Sequence, residues 1–169
     1  MAQTTWMLGE IEVEVTGLFT THHYFQTDAG TVAEFTFPAF AQEAEYRTAE
    51  GRELVMRKPR WLGTMHELLD GKVVRGTADR AGFFRRDIVI EFDGEEYALE
   101  PEGVFKWGWF LVDASGQQLV EFQPRGAFKQ GAYITITSVV DADLVAFAYY
   151  LVHMRKQEEA AAAGAAAAS

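Results

Sequence analysis

The chain has 169 residues, 49% of them hydrophobic and 14% aromatic, and carries a formal net charge of −10 with no cysteine. That length fits one domain able to bury about 70% of the surface its unfolded form exposes, so neither a metal nor a disulfide is required for stability. The missing cysteine excludes a thiol nucleophile, a disulfide framework, a Cys-based zinc site and palmitoylation, and the negative charge argues against generic nucleic-acid binding.

Met1–Leu8 is short and mixed, without the basic and apolar regions of a secretory signal, so a soluble cytoplasmic protein is expected. Glu10–Thr16 alternates with period two and sets Ile11, Val13 and Val15 on one face, the pattern of a half-buried antiparallel strand. A short extended piece over Thr20–Gln26 leads through Asp28-Ala29-Gly30 into Thr31–Phe37, where Ala33, Phe35 and Phe37 share a face. Gln42–Thr48 directs Ala44 and Tyr46 inward, and Ala49-Glu50-Gly51 turns it into Arg52–Lys58. Trp61–Leu69 fits a strand or a short helical stripe, and the strand reading is preferred.

Asp70-Gly71 and Asp93-Gly94 read as primed hairpin turns, the first leading into a strand over Lys72–Asp79 that Gly76 bends or bulges. Phe83–Phe92 places Ile88, Ile90 and Phe92 together, and Glu95–Glu100 follows the second turn. Val104–Val112 sets Phe105, Trp107, Trp109 and Leu111 on one face. Phe105, Trp107, Trp109 and Phe110 suit stacking on bases or sugars or, the preferred reading, the layer between wall and helix, and the turn Asp113-Ala114-Ser115-Gly116 returns through Gln117–Gln123. The last strand, Ala132–Val139, points Ile134 and Ile136 inward.

Leu144–Val152 is apolar on every face for about two and a half turns, so a helix there must be surrounded on all sides. Asp141 and Asp143 before it and Arg155 and Lys156 after it complement a helix dipole. The run is too short to cross a bilayer. About a dozen strands spaced roughly 4.8 Å apart and tilted about 40° close into a cylinder of radius about 12 Å, which one helix and a layer of side chains fill. The expected fold is a mostly β, closed antiparallel barrel of about twelve strands around a buried C-terminal helix. One domain spans 1–159, with the helix over about 142–158 and an alanine-rich tail, 160–169, that extends the helix, frays or is disordered.

The serial hairpins from Glu43, the run Val104 to Phe122 with its turn at Asp113–Gly116, and Ile134-Thr135-Ile136 leading through Val140–Asp143 into the apolar helix resemble the tubby C-terminal-like superfamily. The similarity is to its small bacterial members close to the LURP-one-related proteins, with phospholipid scramblases as more distant relatives. The resemblance implies a barrel threaded by its C-terminal helix, with phosphoinositide headgroups bound on the outside through basic residues. Scramblases also carry cysteine-rich and calcium-binding segments, and this chain has neither cysteine nor an EF-hand-like loop.

The local basic cluster is Arg57, Lys58 and Arg60, with Arg85 and Arg86 later in the chain; it is either an anion or headgroup site or an outer face balancing Glu43, Glu45 and Glu53. His22 and His23 point to opposite faces of a strand and cannot share a metal, and His66 and His153 lack ligand spacing, so no metal and no cofactor is expected. His153 reads as a capping or core-rim residue. The glutamates read as solvated strand faces, and no serine sits in a Gly-x-Ser-x-Gly setting. The expected function is a non-enzymatic binding or scaffold module of unknown ligand, its partner an anionic lipid headgroup or a protein; the alternatives are a peripheral binder of anionic phospholipid headgroups and an enzyme with an unrecognised site.

Overall fold

The computed structural model describes residues 6–39, 43–59, 63–82, 87–103, 107–126 and 129–168. Its strands are β1 (Trp6–Thr16), β2 (Thr21–Thr27), β3 (Gly30–Phe37), β4 (Glu43–Thr48), β5 (Glu53–Arg57) and β6 (His66–Asp70). They continue as β7 (Val73–Arg80), β8 (Ile88–Phe92), β9 (Glu95–Pro101), β10 (Trp109–Asp113), β11 (Gln118–Pro124) and β12 (Ala132–Asp141), and one helix, α1 (Ala142–Ala167), follows. Each strand pairs antiparallel with its sequence neighbours, and β12 pairs with β1, so the sheet is a closed barrel without a free edge.

The alternation anticipated along the strands lines the inner wall. Ile11 pairs with Ile134, Ile134 with Phe122 and Phe122 with Trp109, and all four are buried. On the opposite side Phe35, Tyr46, Leu54, Met56 and Leu68 do the same. Every residue of α1 from Ala142 to Val152 is buried, and those from Leu144 onward belong to one cluster with the inward side chains of the strands. The helix therefore fills the bore.

Two glycines show how closely wall and helix meet the geometry. Gly76 lies beside a register shift between β6 and β7, where a Cβ would come within 3.3 Å of the Phe147 ring, the Phe92 ring and a backbone oxygen. At the β8–β9 turn, Asp93 (φ 49°) and Gly94 (φ 85°) adopt the left-handed pair that a primed two-residue turn demands.

Several sequence expectations are corrected. The β6–β7 loop is Gly71–Lys72, not Asp70–Gly71, because Asp70 still pairs with Val73; Gly71 then supplies the positive φ at the first loop position. Among the described residues of Trp61–Leu69 only His66 onward is strand, after a turn at Gly63–Thr64, and among those of Phe83–Phe92 strand runs from Ile88; positions 60–62 and 83–86 lie outside the described residues. Trp107 is 71% exposed instead of core. The Glu102 N–H donates to the Gly108 carbonyl at 2.8 Å, closing a loop that ends the period-two pattern before β10 begins at Trp109. Phe105 lies outside the described residues, while Phe110 faces outward and is half-buried.

The helix does not stop near residue 158 but continues through the alanine tract to Ala167. Alanine has the highest helix propensity, and Gly164 costs only about 1 kcal/mol, too little to end the helix there. Arg155 and Lys156 consequently lie mid-helix, where α1 leaves the barrel, and its last turn carries no basic residue.

Candidate functional site

The chain direction sorts the connections onto two rims. The lower rim, where α1 begins, is closed by short turns at 28–29, 49–52, 71–72, 93–94 and 114–117. The upper rim, where α1 emerges, is built from the connections β1–β2, β3–β4, β5–β6, β7–β8, β9–β10 and β11–β12. Most of these are longer, and such loops on a rigid frame are the usual carriers of function.

On the upper rim three cations from three different elements meet one carboxylate. Lys58, just after β5, reaches Glu158 Oε1 at 3.3 Å; Arg80, ending β7, donates to Glu158 Oε2 at 2.8 Å; and Arg155, one helical turn earlier, lies 3.4 Å from the same oxygen. Burial opposes the Glu158 charge, but Lys58 and Arg80 outweigh it and hold its carboxyl below the usual range. Beside it is a cavity of about 20 Å³, lined by Thr64, His66, Asp79, Ile88 and Leu151 together with Arg80, Arg155 and Glu158. That is space for about one water, not for a substrate. A more open depression of about 310 Å³ on the outer wall carries Glu10, Glu12 and Asp28, a poor match for an anion.

Below this rim the histidines form struts. His23 Nδ1 and the Tyr149 hydroxyl are 2.6 Å apart, and His66 Nδ1 and the Tyr150 hydroxyl 3.0 Å, so wall and helix are tied by two buried polar pairs. His153 packs against Phe37 and His23, with ring centroids 4.4 Å and 4.8 Å away. Burial lowers the pKa of His23 to about 3 and those of His66 and His153 to about 4. Each folded value lies below the unfolded value of about 6.5, so the unfolded chain binds more protons in between. The stability these rings contribute is complete above about pH 6.5 and declines as the pH falls toward 4. Thermal melting from pH 7 to pH 5 is expected to show this decline, and His23→Phe, with one titrating ring fewer, a shallower one; equal slopes would contradict the assignment.

The lower rim holds the opposite arrangement, a buried ionic lock. Asp141 caps α1 by accepting from the Asp143 N–H at 2.8 Å. Asp143, 1% exposed, receives Arg75 from β7 and Arg52, whose Nη1 is 2.7 Å away; Arg52 also donates to Asp70 at 2.8 Å. Arg75 in turn binds Asp93 and stacks over the Phe92 ring at 4.9 Å. Burial works against the Arg75 charge, but Asp93 and Asp143 outweigh it and raise its pKa.

The predicted basic residues are thus only partly brought together. Lys58 joins the Glu158 cluster, whereas Arg57 is taken by Glu67 at 3.1 Å, and Glu53 pairs with Arg47 and not with the basic cluster. Arg60, Arg85 and Arg86 lie outside the described residues. Arg80 and Glu158 were not singled out by sequence and Arg155 was read only as a complement to the helix dipole, since Lys58 and Arg80 are far from Glu158 in the chain and only barrel closure brings them to it. The paired histidines do occupy opposite faces: His22 meets Glu34 at 2.8 Å while His23 points inward. Among the described residues, no group of three His, Asp or Glu is placed to hold a metal ion, and no helix is long and apolar enough to cross a membrane.

No family model matches the chain, and comparison with curated proteins and with solved structures gives no match.

Proposed function

We propose that the protein is a non-enzymatic, tubby-like binding module that presents the upper rim of a filled barrel to an anionic phospholipid surface. The observation that carries this reading is the convergence of Lys58, Arg80 and Arg155 at one rim of a chain whose net charge is −10. Guanidinium and ammonium groups from separate elements are suited to phosphate oxygens, which accept the same bonds as the Glu158 carboxylate they now surround. Because α1 occupies the bore, a ligand is met on the rim. The interior His23 and His66 are tied to tyrosines and serve as struts, which favours binding over acid–base chemistry.

Glu158 neutralises part of this charge and the remainder of the chain repels anionic membranes, so the interaction is weak and salt-sensitive. Co-sedimentation with phosphatidylserine vesicles is expected to show binding at about 50 mM salt that is lost near 500 mM, where screening is much shorter in range. A Lys58→Glu/Arg80→Glu/Arg155→Glu variant that still melts cooperatively is expected not to bind. Unchanged binding by that variant would contradict the reading.

A further inference from the structure

We propose that Leu18, Phe19 and Trp107 are apolar anchors that enter the interfacial layer of a bilayer when the upper rim docks. This rests on the reading above and adds the residues that penetrate.

Leu18 and Phe19 are 93% and 80% exposed at the tip of the β1–β2 connection, and Trp107 is 71% exposed in the β9–β10 connection. Barrel order puts both on the upper rim, with only the β11–β12 connection between them, and that connection carries the exposed Lys129. Large side chains left in water on three separate positions contribute nothing to this core. Carried on two connections that flank a cation, they match a surface that is negatively charged at the headgroups and apolar beneath, better than the continuous apolar patch that a stable protein dimer requires. Tryptophan is especially suited to the depth where a polar and an apolar phase meet.

The residues next to the anchors are held in place. Gly17 has φ 93°, and the Thr20 carbonyl occupies the space a Cβ would need, which fixes the turn that projects Leu18 and Phe19. Next to Trp107, a Cβ on Gly108 would come within 2.5 Å of the Gln123 amide nitrogen and of a Glu102 carboxylate oxygen, and the Gly108 carbonyl accepts from the Glu102 N–H. Anchors carried on a fixed backbone lose little entropy on insertion. Beyond Glu159, α1 projects from the same rim with only alanine and glycine as far as Ala168.

The test compares the full chain with Leu18→Asp/Phe19→Asp, whose sites lie outside the core, by vesicle co-sedimentation and thermal melting. The expected result is at least a tenfold loss of binding to phosphatidylserine vesicles with an unchanged melt. Quenching of tryptophan fluorescence by brominated lipid should be present in the wild type and largely lost in Trp107→Phe. If the anchor variant binds like the wild type while the Lys58/Arg80/Arg155 variant does not, the anchors are overturned and the charge-based reading stands. A wild type that fails to bind even at low salt overturns both. If Leu18→Asp/Phe19→Asp instead converts a dimer into a monomer without vesicles, the loops serve a second copy of the chain and the inference falls.

Discussion

A chain ending before Asp143 is expected to yield no soluble, cooperatively melting barrel. Twelve antiparallel strands enclose a bore of radius about 12 Å, and the wall's own inward side chains do not span it. From Ala142 to Val152 the helix supplies an unbroken buried run that includes Phe147, Tyr149, Tyr150 and Leu151. Without it, Phe25, Phe35, Met56, Ile90 and Phe122 would face a void, and interiors are packed without such voids. The truncation also removes Asp143, leaving Arg52 and Arg75 without a shared partner. Circular dichroism and calorimetry of the shortened chain provide the check, and a sharp melting transition would contradict the filled-barrel account.

The second large effect is expected at Asp143 itself. Asp143→Ala should cost about 3–5 kcal/mol, because removing one member of a buried ionic cluster leaves its partners' charges uncompensated. Arg75 has a side chain only 9% exposed and is held between Asp143, Asp93 and Asp141, the last at 3.5 Å. Asp70→Ala, by contrast, removes a carboxylate that is 30% exposed and should cost about 1 kcal/mol or less, in the range of surface pairs. Denaturant unfolding of both variants separates the cases, and similar losses would show that burial does not set the energetics of this lock.

Much of the architecture was legible because burial on one side leaves a periodic trace. Alternation in β1, β3 and β12 identified inward residues such as Ile11, Phe35 and Ile134, and the uniformly apolar Leu144–Val152 implied a helix surrounded by strands. What escaped the sequence depends on local closure or on distance along the chain. Trp107 obeys period two on paper, but the Glu102–Gly108 bond takes it out of the strand. The run past residue 158 left helix extension and fraying open from sequence, since its alanines need no tertiary partner to remain helical but also bury nothing. The lock joins Arg52 and Arg75 to Asp143, and the upper cluster joins Lys58 and Arg80 to Glu158, pairings that no spacing rule links. Once the strands are counted, however, alternate hairpin connections must share a rim. Applied to the sequence, that rule would have placed Lys58, Arg80 and Lys129 together and separated them from Asp28, Asp70, Asp93 and Asp113.

The claim that the upper rim is the docking face is tested most directly by hydrogen exchange of the full chain with and without phosphatidylserine vesicles at low salt. Protection is predicted at 17–20, 107–108 and 129–131 and around Lys58 and Arg80, with the lower turns at 28–29, 71–72, 93–94 and 114–117 unchanged. Protection confined to the lower turns or to the outer wall near Glu10 and Glu12, or no protection anywhere, would contradict it.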